Sequence, residues 1–141
     1  MTAIQESSPA PGGLGAGTEA TPIHTILVVE DTEALRRMTS EFLKFQGYEV
    51  LGAADGATAL QVARGHSGAI DLLLTDVCMP KMGGVELARE LRAERPELRV
   101  LYTSGYDEQA LKAEGVTEAD AFLPKPYTPS VLLGALRSLS I

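Results

Sequence analysis

The sequence predicts a doubly wound α/β fold, a parallel sheet with helices on both faces. Two observations carry the prediction. Short apolar runs alternate five times with stretches of helical spacing, and strands joined through helices are parallel with right-handed crossovers. The runs are also nearly continuous in apolar residues, as with Ile70, Leu72, Leu73 and Leu74 in 70–76 (IDLLLTD), the pattern of strands covered on both sides rather than wetted on one.

Taken in order, residues 1–22 are rich in Gly, Pro, Ala and Thr and hold neither Lys nor Arg, so they read as a disordered tail or linker. The folded domain is expected over 23–141. Ile26, Leu27, Val28 and Val29 form the first strand and run into Glu30 and Asp31. From Thr32 the spacing becomes helical, with Leu35, Met38, Phe42 and Phe45 expected inward, Arg36, Arg37, Glu41 and Lys44 outward, and Gly47 as the stop. A second strand is expected over 48–53, followed by Asp55 as the N-cap of a helix carrying Ala59, Leu60, Val62 and Ala63 and ending near Gly65.

GHSG turns the chain into the strand over 70–76, and Gly83-Gly84 precede a helix with Val85, Leu87, Ala88 and Leu91 inward. A fourth strand is expected over 98–104, broken by Gly105. The charged helix over 107–114 has only Ala110, Leu111 and Ala113 to anchor it. A fifth strand, 121–123, leads to Pro124-Lys125-Pro126. Thr128 caps the last helix, Pro129 opens it, and Val131, Leu132, Ala135, Leu136 and Leu139 are expected inward. For five such units the flavodoxin-like strand order 2-1-3-4-5 is expected, with the ligand crevice where the order reverses, between strands one and three.

Composition narrows the function. A chain of 141 residues with 45% hydrophobic content supports one domain. A formal net charge of -7 and no basic cluster argue against nucleic-acid binding, and protein partners or a metal fit better. No apolar run approaches the ~20 residues of a membrane span, and the start lacks the basic and apolar regions of a signal peptide. The single cysteine, Cys78, cannot form an intramolecular disulfide, and the cytoplasm is the expected location.

The strand ends carry the chemistry. An isolated Asp after a strand usually does no more than hydrogen-bond its turn. Asp76, however, is expected to share one crevice with Glu30 and Asp31, and three converging carboxylates repel one another unless a cation compensates. Oxygen ligation in an open crevice suits Mg²⁺. His24 and His66, on a strand start and in a turn, do not make a zinc set. Ser104 ends strand four and Lys125 follows strand five, adding a hydroxyl and a point positive charge at the same edge. A surface lysine is ordinarily just solvated, but two flanking prolines fix the backbone that aims this one. Phosphoryl transfer needs chiefly positioning and charge stabilisation, so Asp76 reads as nucleophile, Glu30 and Asp31 as the metal's acids, and Lys125 and Ser104 as ligands of the phosphoryl oxygens.

VVED at the first strand end, LLLTDVCMPKMGG around Asp76, VLYTSGY at the fourth strand and FLPKPY at the fifth resemble, in order and spacing, the receiver domains of two-component response regulators. The resemblance covers nearly all of 23–141. It implies that Asp76 takes phosphate from a phosphohistidine on a sensor histidine kinase or phosphotransfer protein. It implies Mg²⁺ held by Asp31, Asp76 and the backbone carbonyl of Cys78, with Glu30 acting largely through water. Ser104 becomes the switch hydroxyl, Phe122 the rotating switch aromatic, and Lys125-Pro126 a cis peptide. The expected output is a switched protein-binding face on helix four, strand five and helix five. A downstream protein target and a phosphorylation-dependent dimer are forms that output could take, with no DNA-binding domain expected in this chain.

Two departures from the family pattern stand out. Gly83 occupies a position where many receivers have Asp or Asn, and Cys78 and Tyr106 stand where the family tunes water access to the phosphoaspartate. The competing readings are an Asp-nucleophile phosphohydrolase, a flavin carrier and a receiver that binds partners without phosphorylation. The first wants a second Asp two residues after its nucleophile, where this chain has Cys78. Acid at the first strand end would repel a flavin phosphate, and the full site set argues against the third. The chain is therefore expected to catalyse its own phosphorylation and dephosphorylation without being a conventional turnover enzyme.

Overall fold

The computed structural model of the protein describes residues 22–117 and 119–140, so the tail expected over 1–22 lies, but for Pro22, outside the described residues. The elements alternate strictly: β1 (Thr25–Val29), α1 (Glu33–Phe45), β2 (Glu49–Ala53), α2 (Gly56–Gly65), β3 (Leu72–Asp76), α3 (Gly84–Glu94), β4 (Arg99–Ser104), α4 (Glu108–Ala113), β5 (Ala121–Pro124) and α5 (Pro129–Leu139). All neighbouring strands are parallel, in the order β2-β1-β3-β4-β5, as the sequence predicts.

Side-chain alternation divides each central strand between two cores. Leu27, Val29 and Leu73 face Leu60 of α2, Leu87 and Leu91 of α3 and Leu111 of α4. Ile26, Val28, Leu72 and Leu74 face Leu43 of α1 and Leu132 and Leu136 of α5. Complete burial of such a side chain contributes about 1.5–3 kcal/mol, so β1 and β3, apolar on both faces, form the fixed centre of the domain.

The helix signals act as predicted at several ends. Asp55 accepts the Thr58 N–H and Thr128 accepts that of Val131, each side chain satisfying a donor that the first turn leaves free. Gly47, at φ 102°, closes α1 with its N–H on the Lys44 carbonyl and the Tyr48 N–H on that of Leu43. Gly115, at φ 100°, ends α4 in the same way.

Three helix faces differ from expectation. On α1, Met38 and Phe45 are 62% and 87% exposed, while Thr39 and Leu43 are the buried residues. Periodicity fixed the helix, but its inward direction falls between Leu35 and Phe42, where Thr39 bonds Tyr127 across to the segment before α5. On α5, Val131 is exposed, and Leu132 and Leu136 are the anchors. On α4 Leu111 is the buried residue among those whose burial is described, and Val116 beyond the helix supplies the second anchor.

Register then aligns the strand ends. Val29 pairs with Thr75, Asp76 with Thr103 and Ser104 with Pro124, so residues 30, 76, 104 and 125 reach the same sheet edge.

Candidate functional site

Four strands deliver side chains to that edge. Glu30 and Asp31 leave β1, Asp76 ends β3, Ser104 ends β4 and Lys125 follows β5. Carboxylate oxygens of Glu30, Asp31 and Asp76 all lie within 4.8 Å of one another. Glu30 and Asp76 are buried and Asp31 is exposed, so the cluster opens to solvent on one side.

The two buried acids are held from behind. Glu30 Oε2 accepts the Thr32 N–H at 2.9 Å, and the Glu30 carbonyl accepts from Arg36 at 2.7 Å. Asp76 accepts the backbone N–H of Cys78. Lys125 Nζ closes the floor, donating to Glu30 Oε1 at 2.6 Å and to Asp76 Oδ2 at 3.0 Å. Its peptide to Pro126 is cis, as the resemblance implies.

Burial pushes the Asp76 carboxyl above its usual range. The Lys125 bond and charge pull it back, while the Asp31 charge pushes it further up. Burial alone would lower the Lys125 ammonium, but its bonds to Glu30 and Asp76 and their charges outweigh that, so it stands above its ordinary value. The lysine therefore remains protonated, and its single charge falls two short of balancing three carboxylates. A hard divalent cation at the open side would supply that compensation, and an all-oxygen donor set with an exposed carboxylate fits Mg²⁺.

The remaining candidates sit around this cluster. Ser104 is buried, and its Oγ accepts the Tyr106 N–H at 2.9 Å. Phe122 is half-buried against the core shared by α2, α3 and α4. Cys78 is half-buried, and burial, helped by Glu114 and Asp76, pushes its thiol up, so the side chain is a neutral thiol beside the site. That leaves its backbone carbonyl, not its sulfur, as the atom suited to a hard cation.

Two contributors have no clear sequence signal. Arg36 looks like a surface residue of α1 yet anchors the Glu30 backbone. Gly84 is required by close approach: a Cβ there would stand 2.2 Å from the Asp76 carbonyl oxygen. Gly83, by contrast, has φ -75° and serves as a side-chain-free N-cap for α3, so the loop after Asp76 takes an ordinary helix-entry conformation.

The family model for the response regulator receiver domain matches residues 26–137. The chain is 36% identical over 116 residues to the sensor kinase CckA of Brucella abortus, covering 82% of this chain and 12% of that protein. It is 37% identical over 115 residues to the response regulator MprA of Mycobacterium ulcerans, covering 81% and 49%. The chain thus spans about half the length of the response regulators and a small part of the kinase. Among solved structures it resembles the receiver domain of the hybrid histidine kinase CckA (36% identity, TM-score 0.70, 83% of this chain and 99% of that one). It also resembles the Vibrio cholerae chemotaxis protein CheY4 (32% identity, TM-score 0.73, 83% and 98%).

Proposed function

The chain belongs to the response regulator receiver family of two-component systems, and from that premise we propose that Asp76 is its phosphoacceptor. The observation that carries the reading is the cluster of Glu30, Asp31 and Asp76 with Lys125 bonded to two of its members. One Asp76 carboxylate oxygen attacks the phosphorus of a phosphohistidine on a sensor kinase or phosphotransfer protein. The P–N bond breaks, a P–O bond forms and the imidazole leaves with the electron pair. Asp31, Asp76 and the Cys78 carbonyl would hold Mg²⁺, with Glu30 acting through water. The ion supplies charge neutralisation at the phosphoryl oxygens when bound.

The chain's own residues do the rest. Lys125 already faces Asp76 and needs only to exchange a carboxylate oxygen for a phosphoryl oxygen. Ser104 Oγ accepts the Tyr106 N–H and can at the same time donate its own O–H to the phosphoryl group, so a movement of Ser104 toward that group links the charge at Asp76 to the β4–α4 segment. Phe122, half-buried beside that segment, is the aromatic that responds, and the face of α4, β5 and α5 presents the result to a downstream protein. The domain extends over 23–141 behind an amino-terminal linker. The protein acts in the cytoplasm, where the kinase phosphohistidine is made, and no helix among the described residues is long and apolar enough to cross a membrane. This is a signalling cycle of self-catalysed phosphorylation and dephosphorylation.

Incubation with Mg²⁺ and acetyl phosphate, followed by intact-mass measurement, tests the reading. A single added phosphate that is absent in a folded Asp76→Asn variant supports it. Unmodified wild-type protein, or an adduct that persists in Asp76→Asn, overturns it.

A further inference from the structure

We propose that Thr39 and Tyr127 are positioning residues for Lys125: the bond between their hydroxyls ties the segment that carries the lysine to α1, the helix that also fixes Glu30. The inference rests on the phosphoacceptor reading and gives a part in it to two residues outside the acidic cluster.

The stem of Lys125 makes such support necessary. Its ammonium stands on a flexible four-carbon chain, so where the nitrogen lies depends on how the backbone below it is held. On one side that backbone belongs to the sheet, and the Lys125 N–H donates to the Ser104 carbonyl at 2.8 Å. Pro126 follows, exposed and without an N–H to donate. Tyr127 is then the second anchor. Its half-buried ring packs against the core that holds Leu43 and Leu132, and its hydroxyl stands 3.1 Å from Thr39 Oγ1. A ring can slide within an apolar surface, whereas a hydrogen bond to a buried partner fixes its direction, and Thr39 is buried. Burial pushes the Tyr127 phenol above its ordinary value, the Thr39 bond pulls it back, and the charges of Glu30, Lys125 and Asp76 all reach it, so the bond lies close to the acidic cluster.

α1 closes the frame. Arg36 and Thr39 are three residues apart and therefore share a side of the helix. Arg36 donates to the Glu30 carbonyl at 2.7 Å, while Thr39 holds Tyr127. One helix thus fixes both ends of the 2.6 Å contact between Glu30 and Lys125, two residues 95 positions apart in the chain. Without the hydroxyl bond, the lysine's segment is held firmly on its strand side alone, and the ammonium loses its fixed place opposite Asp76.

Two measurements on the full chain test the inference together: the rate of loading from acetyl phosphate at saturating Mg²⁺, followed by intact mass, and the Mg²⁺ affinity, read from amide shifts without the donor. Tyr127→Phe and Thr39→Val each remove the bond and keep the shape, and circular dichroism checks that each retains the fold. Misplacement of a group at the reacting centre is costly, so each variant should load about three- to tenfold more slowly. The double variant should be no slower than the slower single one, because both changes cut the same bond. Mg²⁺ affinity should stay at the wild-type value, since the proposed metal ligands do not include the lysine. Thr39→Ser, which keeps the hydroxyl, should recover most of the rate lost in Thr39→Val. Wild-type rates in both single variants overturn the inference. So does a loss of Mg²⁺ affinity that matches the loss of rate, which would make the bond a support of the whole site, or a Thr39→Ser as slow as Thr39→Val. A wild type that takes up no phosphate overturns the phosphoacceptor reading itself, and this inference with it.

Discussion

Lys125 holds its ammonium 3.0 Å from Asp76 Oδ2, and the same nitrogen lies 2.6 Å from Glu30 Oε1. One cation thus serves two buried carboxylates that come from different strands. Opposite charge in this half-buried site favours the charged form of the lysine, and its removal leaves both acids without their charged partner. Lys125→Met is expected to lose about 1–3 kcal/mol in urea unfolding with the metal chelated. Added Mg²⁺ should recover part of that loss, since a ligand that binds only the native state stabilises it. An equal loss with and without Mg²⁺ would show that the ion and the lysine do not serve the same acids.

Asp76 gives a prediction with a defined sign. Burial raises its carboxyl, Lys125 opposes and Asp31 reinforces the rise, and the net direction is up. The folded state therefore keeps this proton to higher pH than the unfolded state does. The contribution is stabilising below the unfolded carboxyl pKa of about 3.9, and is lost as pH rises through the raised value. At neutral pH the metal-free protein carries the cost of an ionised buried acid, which Asp76→Asn removes. In EDTA at pH 7 the variant should melt above the wild type, and the gap should close as pH falls toward 4. Mg²⁺ should raise the wild-type melting temperature and leave the variant nearly unchanged. A gap constant across pH would mean that Asp76 is not the group responsible.

The two glycines after Asp76 should behave differently although they are neighbours. A Cβ at Gly84 would sit 2.2 Å from the Asp76 carbonyl oxygen and 3.1 Å from Val77 Cα, both backbone atoms that cannot swing aside. Gly84→Ala should cost about 3 kcal/mol or more and lower the Mg²⁺ response, because the clash is relieved only by moving the phosphoacceptor loop. At Gly83 the backbone is extended, and a Cβ meets the Val77 carbonyl at a tight 3.1 Å. An Asn there gains an N-cap for α3 against that contact, so Gly83→Asn should stay within about 1 kcal/mol of wild type. Paired urea denaturations of the two variants check the contrast.

Much of this site was legible in the sequence because strand ends are one-dimensional signals. A double-faced apolar run such as 72–74 or 26–29 locates a central strand, and the first polar residue after it marks the sheet edge. Glu30, Asp31, Asp76, Ser104 and Lys125 were placed that way, and parallel pairing converts five positions in the chain into one edge in space. The direction of a helix face is less well determined. α1 holds apolar residues at 35, 38, 42, 43 and 45, around nearly half its circumference, so periodicity alone does not say whether Thr39 or Met38 is inside. The contact from Tyr127 decides it, and that residue is 88 positions away along the chain. Arg36 and Gly84 were illegible for a related reason, since each answers to a backbone carbonyl that no side-chain pattern reports.

Tyr106 allows water access at the proposed phosphoaspartate to be tested without disturbing the fold. Its side chain is 62% exposed, while its backbone N–H is bonded to Ser104 Oγ at 2.9 Å. Removing the ring therefore leaves the anchor of the loop intact, and a substitution at so exposed a position should change stability by no more than about 0.5 kcal/mol. Loss of phosphate from Asp76 requires a water to reach phosphorus in line with the breaking bond, from the solvent side of the crevice. An exposed ring carried two residues beyond Ser104 is expected to reduce the approaches open to water. Tyr106→Ala should accordingly load phosphate from acetyl phosphate as the wild type does and lose it several times faster once the donor is removed. A time course of intact mass after desalting reads both quantities. Equal rates of loss in the two proteins would mean that the ring does not stand between water and phosphorus.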